Sequence, residues 1–324
     1  MKRVLVITTN LRQASYRLWI AGIRALLAER GFDFDVQVRS KRLFERRALF
    51  RRAGGYDAVI LFRKLLDPSD ARLLRRHAKR IFYALDDAVM YHAHPVGCFS
   101  RWRTKRRFEA TAKIADHVVA GNDYLADIFR RRGNDVTVLP TCIDASKYAV
   151  KPDERGGGVA LVWIGSSSTL GYLDEIMPAV GEAAQRLPGL RLITIADRTI
   201  DRAPVPVEHI AWSEQEEAAA LVRGDIGIAP TPDDQWTRGK CGFKILQYMA
   251  AGLPVIASPV GANAQIVTPE TGVLATTPRD WTDAIVRLAA DLELRRRMGA
   301  AGRARVEAEY PLVRAAETWA RLLA

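Results

Sequence analysis

Residues 238–261 read RGKCGFKILQYMAAGLPVIASPVG, with Lys240 and Lys244 on either side of Gly242 at the predicted start of a short apolar helix and Gln247 in its second turn. A helix N-terminus presents unpaired N–H groups and roughly half a positive charge, so it suits a phosphate and disfavours a lysine. The misplaced charge weakens the helix by about 0.3–1 kcal/mol, a cost that a bound anion would remove. On this reading Gly242 lets a ligand approach the backbone, the two lysines add charge, and the Gln247 amide reaches a sugar hydroxyl. The plainer reading is a core helix whose apolar stripe is Phe243, Ile245, Leu246, Met249 and Ala250. Position alone weighs the two equally.

A second cluster lies in YALDDAVMYHAHP (83–95), where Asp86 and Asp87 follow a predicted strand and His92 and His94 come shortly after. Paired carboxylates at a strand's carboxyl end suit contact with an acceptor hydroxyl or a donor sugar. Capping of the next turn by an aspartate is the bland alternative. A metal site of Asp86, Asp87, His92 and His94 is the weakest of the three, because the same residues also occur in solvated loops. Ser15, Tyr16 and Arg17 open the first predicted helix, where Arg17 faces either an acceptor or phosphate, or solvent. His77, His117 and His209 read as structural or exposed. Cys98, Cys142 and Cys241 are odd in number and far apart, which predicts three reduced thiols and neither a disulfide framework nor a zinc site.

Short β-branched runs alternating with helical patterns must position these groups. RVLVIT (3–8), DFDVQVR, YDAVILFR (56–63) and IFYAL read as strands, and ASYRLWIAGIRALLAERG (14–31) as one helix closed by Gly31. Alternation with short connections predicts a parallel sheet with helices on both faces. The stretch CIDASKYAVKPDERGGG (142–158), with Pro152 and three consecutive glycines, is the best linker candidate, and the alternation restarts after it with VALVWIG. The fold class is therefore α/β, with two Rossmann-like doubly wound parallel-sheet domains facing a cleft. Residues 1–150 form the first domain and the second begins at 151. Ligands in such sheets bind at the carboxyl ends of strands.

Composition supports a globular chain of 324 residues, 48% hydrophobic and 27% charged. No run approaches the length of a membrane span, and the apolar run near the N-terminus is too short for a signal peptide, so the expected location is cytoplasmic. The net charge is +12, but residues 1–150 carry 30 Lys and Arg against 15 Asp and Glu, whereas the remainder has 19 against 22. That asymmetry points to a polyanionic partner for the first half, or to an arginine-rich solvated surface. RSKRLFERRALFRRAGG (39–55) interleaves Arg46, Arg47, Arg51 and Arg52 with Leu43, Phe44, Leu49 and Phe50, as an interfacial helix on anionic lipid would. RWRTKRR (101–107) adds to it. Nucleic acid is the less favoured partner, since no recognised binding motif occurs.

The segment GKCGFKILQYMAAGLPVIASPVGANAQIV resembles the nucleotide-sugar segment of the family 4 glycosyltransferases, which are retaining enzymes of GT-B fold. In that family a Glu, seven residues and a second Glu precede an Ala-rich helix end, a Gly, a Pro and a strand. The specific resemblance runs from about Gly239 to Leu274. A weaker one covers the whole chain, through WIGSSST, ADHVVAGNDYLADIF, VLPTCIDASKY, DIGIAPTPDD and YPLVRAAETWARLL. It implies a nucleotide-sugar domain over 151–308 and a terminal helix over 309–324, broken at Pro311 and crossing back to the first domain.

The resemblance further implies a hexosyltransferase-type enzyme. It would take a nucleoside-diphosphate sugar as donor substrate, with no tightly bound cofactor and no metal. The acceptor would be a glycan or lipid-linked molecule of envelope-polysaccharide synthesis at the inner membrane face, reached through the basic first domain. The catalytic candidates are Asp86, Asp87 and Lys240. The donor-binding candidates are Gly165, Ser166, Ser167, Arg198, Arg238, Gly242, Phe243, Lys244 and Gln247. The sequence departs from the family pattern at both glutamates, where Gly239 and Gln247 stand, and it has no Arg or Lys over 159–185 to serve as the usual cationic pair. A non-catalytic sugar-nucleotide-binding protein is therefore the first rival reading, and a basic nucleic-acid-binding protein the second.

Overall fold

The structure, a computed structural model, describes residues 1–150 and 158–324. The chain divides into two compact units. The first comprises Met1–Cys142, Asp234–Cys241 and Leu312–Ala324, and the second Ile143–Asp233 and Gly242–Pro311. The division falls between Cys142 and Ile143 rather than at 150/151, and the segment 234–241 joins the first unit. Residues 151–157 of the expected linker lie outside the described residues.

The first unit is built on β1 (Lys2–Thr8), β2 (Phe32–Val38), β3 (Ala58–Phe62), β4 (Ile81–Leu85), β5 (His117–Ala120) and β6 (Val136–Val138), all parallel and ordered β2-β1-β3-β4-β5-β6. Strands β3 and β4 are buried at every residue, which is why AVILF and IFYAL show no polar alternation. Ile7 stands opposite Leu61, and Leu61 opposite Tyr83. The strand order reverses between β1 and β3, so the loops leaving their carboxyl ends diverge around a crevice, where ligands of doubly wound sheets bind.

The helix expected over 14–31 is two helices, Ala14–Trp19 and Arg24–Glu29, with a tight turn over Ala21–Ile23. Gly22 sits in that turn with Leu312 packed beside it, and a glycine inside a helix costs about 1 kcal/mol relative to alanine. The terminal helix Leu312–Leu323 starts directly after Pro311 and buries Ala315, Ala316, Trp319 and Leu323. Trp319 meets Phe82 of β4 edge-on, with ring centroids 5.9 Å apart, and Arg80 Nη2 donates to the Leu322 carbonyl at 2.7 Å.

The second unit repeats the plan with β7 (Ala160–Ile164), β8 (Arg191–Ala196), β9 (Val207–Ala211), β10 (Ile226–Ala229), β11 (Val255–Ala257) and β12 (Gly272–Leu274), ordered β12-β11-β10-β7-β8-β9. Its order reverses between β7 and β10, which pair only at Ile226 with Leu161 and Gly227 with Val162. Beyond those rungs the buried Tyr248 hydroxyl accepts from the Ile164 N–H and donates to the Ile228 carbonyl, each at 3.0 Å. Gly227 makes room for it, because a Cβ there would lie 2.4 Å from the Tyr248 ring. The switch point of the second sheet is thus held open by one side chain. Among the described residues no helix is long and apolar enough to cross a membrane.

Candidate active site

In the first unit the structure brings Asp86, Asp87 and Lys240 together, and it adds a residue that the sequence did not single out. Arg63 directly follows β3 and adopts φ +60°, the one non-glycine residue with positive φ among the described residues. Its Nε lies 3.2 Å from Asp86 Oδ1, its Nη2 2.5 Å from Asp87 Oδ2, and its Nη1 donates to Ser15 Oγ. The helix after β1 and the segments leaving β3 and β4 therefore meet at one guanidinium. A left-handed backbone costs a non-glycine residue about 1–2 kcal/mol, and residues held so cluster at functional sites. The sequence signal for Arg63 was a charged Arg63–Lys64 pair set between AVILF and LL, directly at a strand's carboxyl end.

Asp86 is buried, and burial raises its pKa above the ordinary carboxylate value; Arg63 opposes the rise and Asp87 adds to it. Lys240 Nζ lies 3.2 Å from Asp87 Oδ1 and 5.0 Å from the centroid of the Trp236 ring. The lysine that seemed misplaced before a helix thus has an ion-pair partner in its own unit.

The segment 234–241 is fastened firmly. Asn122 Nδ2 donates to the carbonyls of Arg238 and Lys240 at 3.2 and 3.0 Å. The Cys241 thiol donates to the Asp86 carbonyl at 3.0 Å, and Gly121 leaves the space its sulfur fills, since a Cβ there would be 2.2 Å from it. Burial, reinforced by Asp86 and Asp87, pushes the Cys241 thiol pKa well up. The side chain of Arg238 is exposed. His92 and His94 are exposed, and His92 Nε2 hydrogen-bonds Thr104 Oγ1 at 3.1 Å. Among the described residues no group of three or more His, Cys, Asp or Glu is placed to hold a metal ion.

The donor-binding candidates Gly165, Ser166, Ser167, Arg198, Gly242, Phe243, Lys244 and Gln247 belong to the second unit. Gly165, Ser166 and Ser167 leave β7 at the switch point. A Cβ on Gly165 would lie 2.5 Å from the Trp163 ring, so close packing alone requires the glycine. Ser167 is engaged: its N–H and Oγ both donate to Asp197, at 2.6 and 2.7 Å, and the hydroxyl contact lowers the Asp197 pKa. Arg198 is exposed in the loop after β8.

The helix Phe243–Ala250 begins at Gly242 with φ +65°. The space its Cβ would occupy belongs to the Ile266 side chain, 2.5 Å away. Backbone conformation and packing therefore account for this glycine without reference to a ligand. Phe243 packs partly buried on the core, and Lys244 Nζ lies 4.6 Å from the Trp163 ring centroid. Gln247 is buried and its Nε2 donates to the Tyr148 hydroxyl at 3.2 Å. Its amide nitrogen is thus spent inside the protein, a contact that no sequence spacing announces.

Two parallel six-stranded sheets, each flanked by helices, define the two-domain α/β GT-B class. Within the chain, residues 161–291 match the family described as Glycosyl transferases group 1. Sucrose-phosphate synthase from Thermosynechococcus elongatus has a similar structure, with TM-score 0.75 at 16% identity over 99% of this chain and 98% of that one. Anabaena HepE in complex with UDP-glucose is similar at TM-score 0.75 and 13% identity, covering 100% and 99% of the two chains. The lipopolysaccharide outer core galactosyltransferase WaaB gives TM-score 0.69 at 13% identity, with 99% of each chain covered. No curated protein sequence matches the chain significantly.

Proposed function

We propose that the protein is a retaining, hexosyltransferase-type glycosyltransferase. It would move a sugar from a nucleoside-diphosphate sugar to a glycan or lipid-linked acceptor at the inner face of the membrane. The observation that carries this reading is the family match over 161–291, because it spans both the loop after β7 and the helix start at Gly242. The UDP-glucose complex of HepE makes uridine diphosphate sugars the first donors to test.

In such a transfer the bond between the anomeric carbon and the diphosphate oxygen breaks and a bond to the acceptor oxygen forms. The acceptor's proton leaves with the diphosphate or to a carboxylate. Fixed dipoles and cations at the leaving phosphate are then the main source of acceleration. The N-terminus of the helix Phe243–Ala250, with Lys244, is assigned that role. Asp86 and Asp87, oriented by Arg63, are assigned to sugar or acceptor hydroxyls, and Lys240 to the charge balance beside them.

Calorimetric titration of UDP, GDP, ADP and dTDP, with their common sugar conjugates, tests the donor half of the reading. Selective binding of one base, weakened in Lys244→Ala, is expected. No binding of any of them would overturn it, and binding without turnover against glycan and lipid-linked acceptors would leave a non-catalytic sugar-nucleotide-binding protein.

A further inference from the structure

Beside Arg63, at the carboxyl ends of β2 and β3 in the first unit, four cations surround two carboxylates. Arg39 follows β2, Lys64 follows Arg63, Arg46 comes from the helix Leu43–Arg52 and Arg107 from the helix Cys98–Ile114. Asp70 is shared by Arg39 Nη2 at 3.4 Å and Arg46 Nε at 2.7 Å, and it is almost fully buried. Asp67 is clasped by Arg107 through Nε at 2.7 Å and Nη2 at 3.0 Å. Both carboxylates are therefore committed to arginines. Among the described residues nothing pairs with the half-buried Lys64 ammonium, and the buried Nε of Arg39 has no acceptor.

This arrangement is costly as it stands. Burial lowers the Lys64 pKa, and Arg39 and Arg107 lower it further, with Asp67 the smallest influence and the one that opposes. Arg39 is pressed the same way, by burial first and then by Arg46. Like charges gathered in a partly desolvated cluster favour the binding of an anion. Four cations against two anions leave two positive charges, which a phosphoryl dianion would neutralise. The Lys64 ammonium and the guanidinium N–H groups not spent on Asp67 and Asp70 also supply donors for its three acceptor oxygens. The place is at the carboxyl end of the first sheet, the end at which doubly wound sheets bind their ligands.

We propose that Lys64, Arg39 and Arg107 form a binding site for the phosphoryl group of a phosphorylated acceptor. The inference rests on the transferase reading for the word acceptor, but the anion site itself does not. Lys64 is the chain neighbour of Arg63, whose guanidinium pairs with Asp86 and Asp87. A glycan carrying a phosphate and a lipid phosphate share this chemistry.

The test is calorimetric titration of inorganic pyrophosphate into the full chain with UDP saturating, so that a donor site is already filled. Wild type, Lys64→Glu, Lys64→Gln and Lys64→Arg are compared, and thermal melts check that each is folded. Pyrophosphate affinity is expected to fall about tenfold or more in Lys64→Glu, as for loss of a charge-assisted contact. It should fall less in Lys64→Gln and stay within about threefold in Lys64→Arg, which keeps the charge. UDP affinity is expected to be equal in all four. Pyrophosphate binding that is absent in wild type, or unchanged in Lys64→Glu and Lys64→Gln, would overturn the site. If UDP itself fails to bind, the donor reading falls, and pyrophosphate is titrated alone to judge the anion site separately.

Flotation with phosphatidylcholine vesicles, with and without phosphatidic acid, separates the two sources of the phosphate. Binding that needs phosphatidic acid, is competed by pyrophosphate and is lost in Lys64→Glu identifies a lipid phosphate. No flotation, with pyrophosphate binding retained, identifies a soluble phosphorylated glycan.

Discussion

Arg63 illustrates how much a single residue is asked to do. Its backbone is strained at φ +60°, and its guanidinium spans Asp86, Asp87 and Ser15. Removing one partner of a buried charge cluster leaves the others uncompensated, which costs about 3–5 kcal/mol when burial is complete and less when some solvent remains. We therefore expect Arg63→Met to lower stability in urea unfolding by about 3 kcal/mol. Arg63→Lys should lose less, because it keeps the charge while giving up the fork. Equal losses in the two variants would mean that packing, not charge, holds the site.

The thiols offer a second check at the same scale. Cys98 is exposed, and its hydrogen bond from Arg101, then the arginine's charge, lowers its pKa. Cys142 is buried and pushed up to about 11, and burial pushes Cys241 well up too. Because the thiolate is the reactive form, iodoacetamide at mildly alkaline pH should label Cys98 alone in the folded protein. Labelling of Cys241 under those conditions would contradict its burial beside Asp86.

Among the elements, two close packings can be perturbed independently. Gly121 admits the Cys241 sulfur, and a methyl group there would collide with it at 2.2 Å. Gly121→Ala should cost about 1–3 kcal/mol by overpacking, and it should also loosen the segment 234–241 so that Cys241 becomes open to alkylation. In the other unit, Tyr248→Phe removes the hydroxyl that satisfies both the Ile164 N–H and the Ile228 carbonyl. Leaving such buried groups unpaired costs about 1–3 kcal/mol each, so the two together should shift unfolding by about 2–6 kcal/mol while Cys241 stays protected. Exposure of Cys241 in Tyr248→Phe but not in Gly121→Ala would contradict the packing described for both.

In the whole molecule, the first unit is completed by chain remote in sequence. The helix Leu312–Leu323 supplies the first unit with Trp319 and Leu323, both buried. Each such side chain contributes about 1.5–3 kcal/mol through burial. A chain ended at residue 311 should therefore show fast amide exchange throughout the first unit, while strands of the second remain protected. Retained protection in β1 and β4 would show that the helix is dispensable. On the transferase reading, UDP at about a hundred times its dissociation constant should stabilise the state that binds it by about 2.7 kcal/mol. The added protection should appear first around Phe243–Ala250.

The alternation of strands and helices, its resumption at β7, and Asp86 and Asp87 as a pair at a strand's end were legible in the sequence. Those features depend on local pattern: strands buried on both faces read as continuous apolar runs, and a helix start is written in its first few residues. The sequence also put a helix start at Gly242, where the structure has one, but the surroundings of Gly242 and the lysines were not legible. Lys240 meets Asp87, Gln247 meets Tyr148, Ser167 meets Asp197 and Arg46 meets Asp70. Each of those partners is at least 24 residues away in sequence. Arg46 thus cannot be counted among freely solvated charges on its helix, whose exposed apolar residues are Leu43 and Phe44. The surroundings of Arg63 and Lys64 were hidden for the same reason. A charge reads from sequence as a charge, and its neighbours in space decide whether it is neutralised, shared between two carboxylates as Arg63 is, or left without a carboxylate partner.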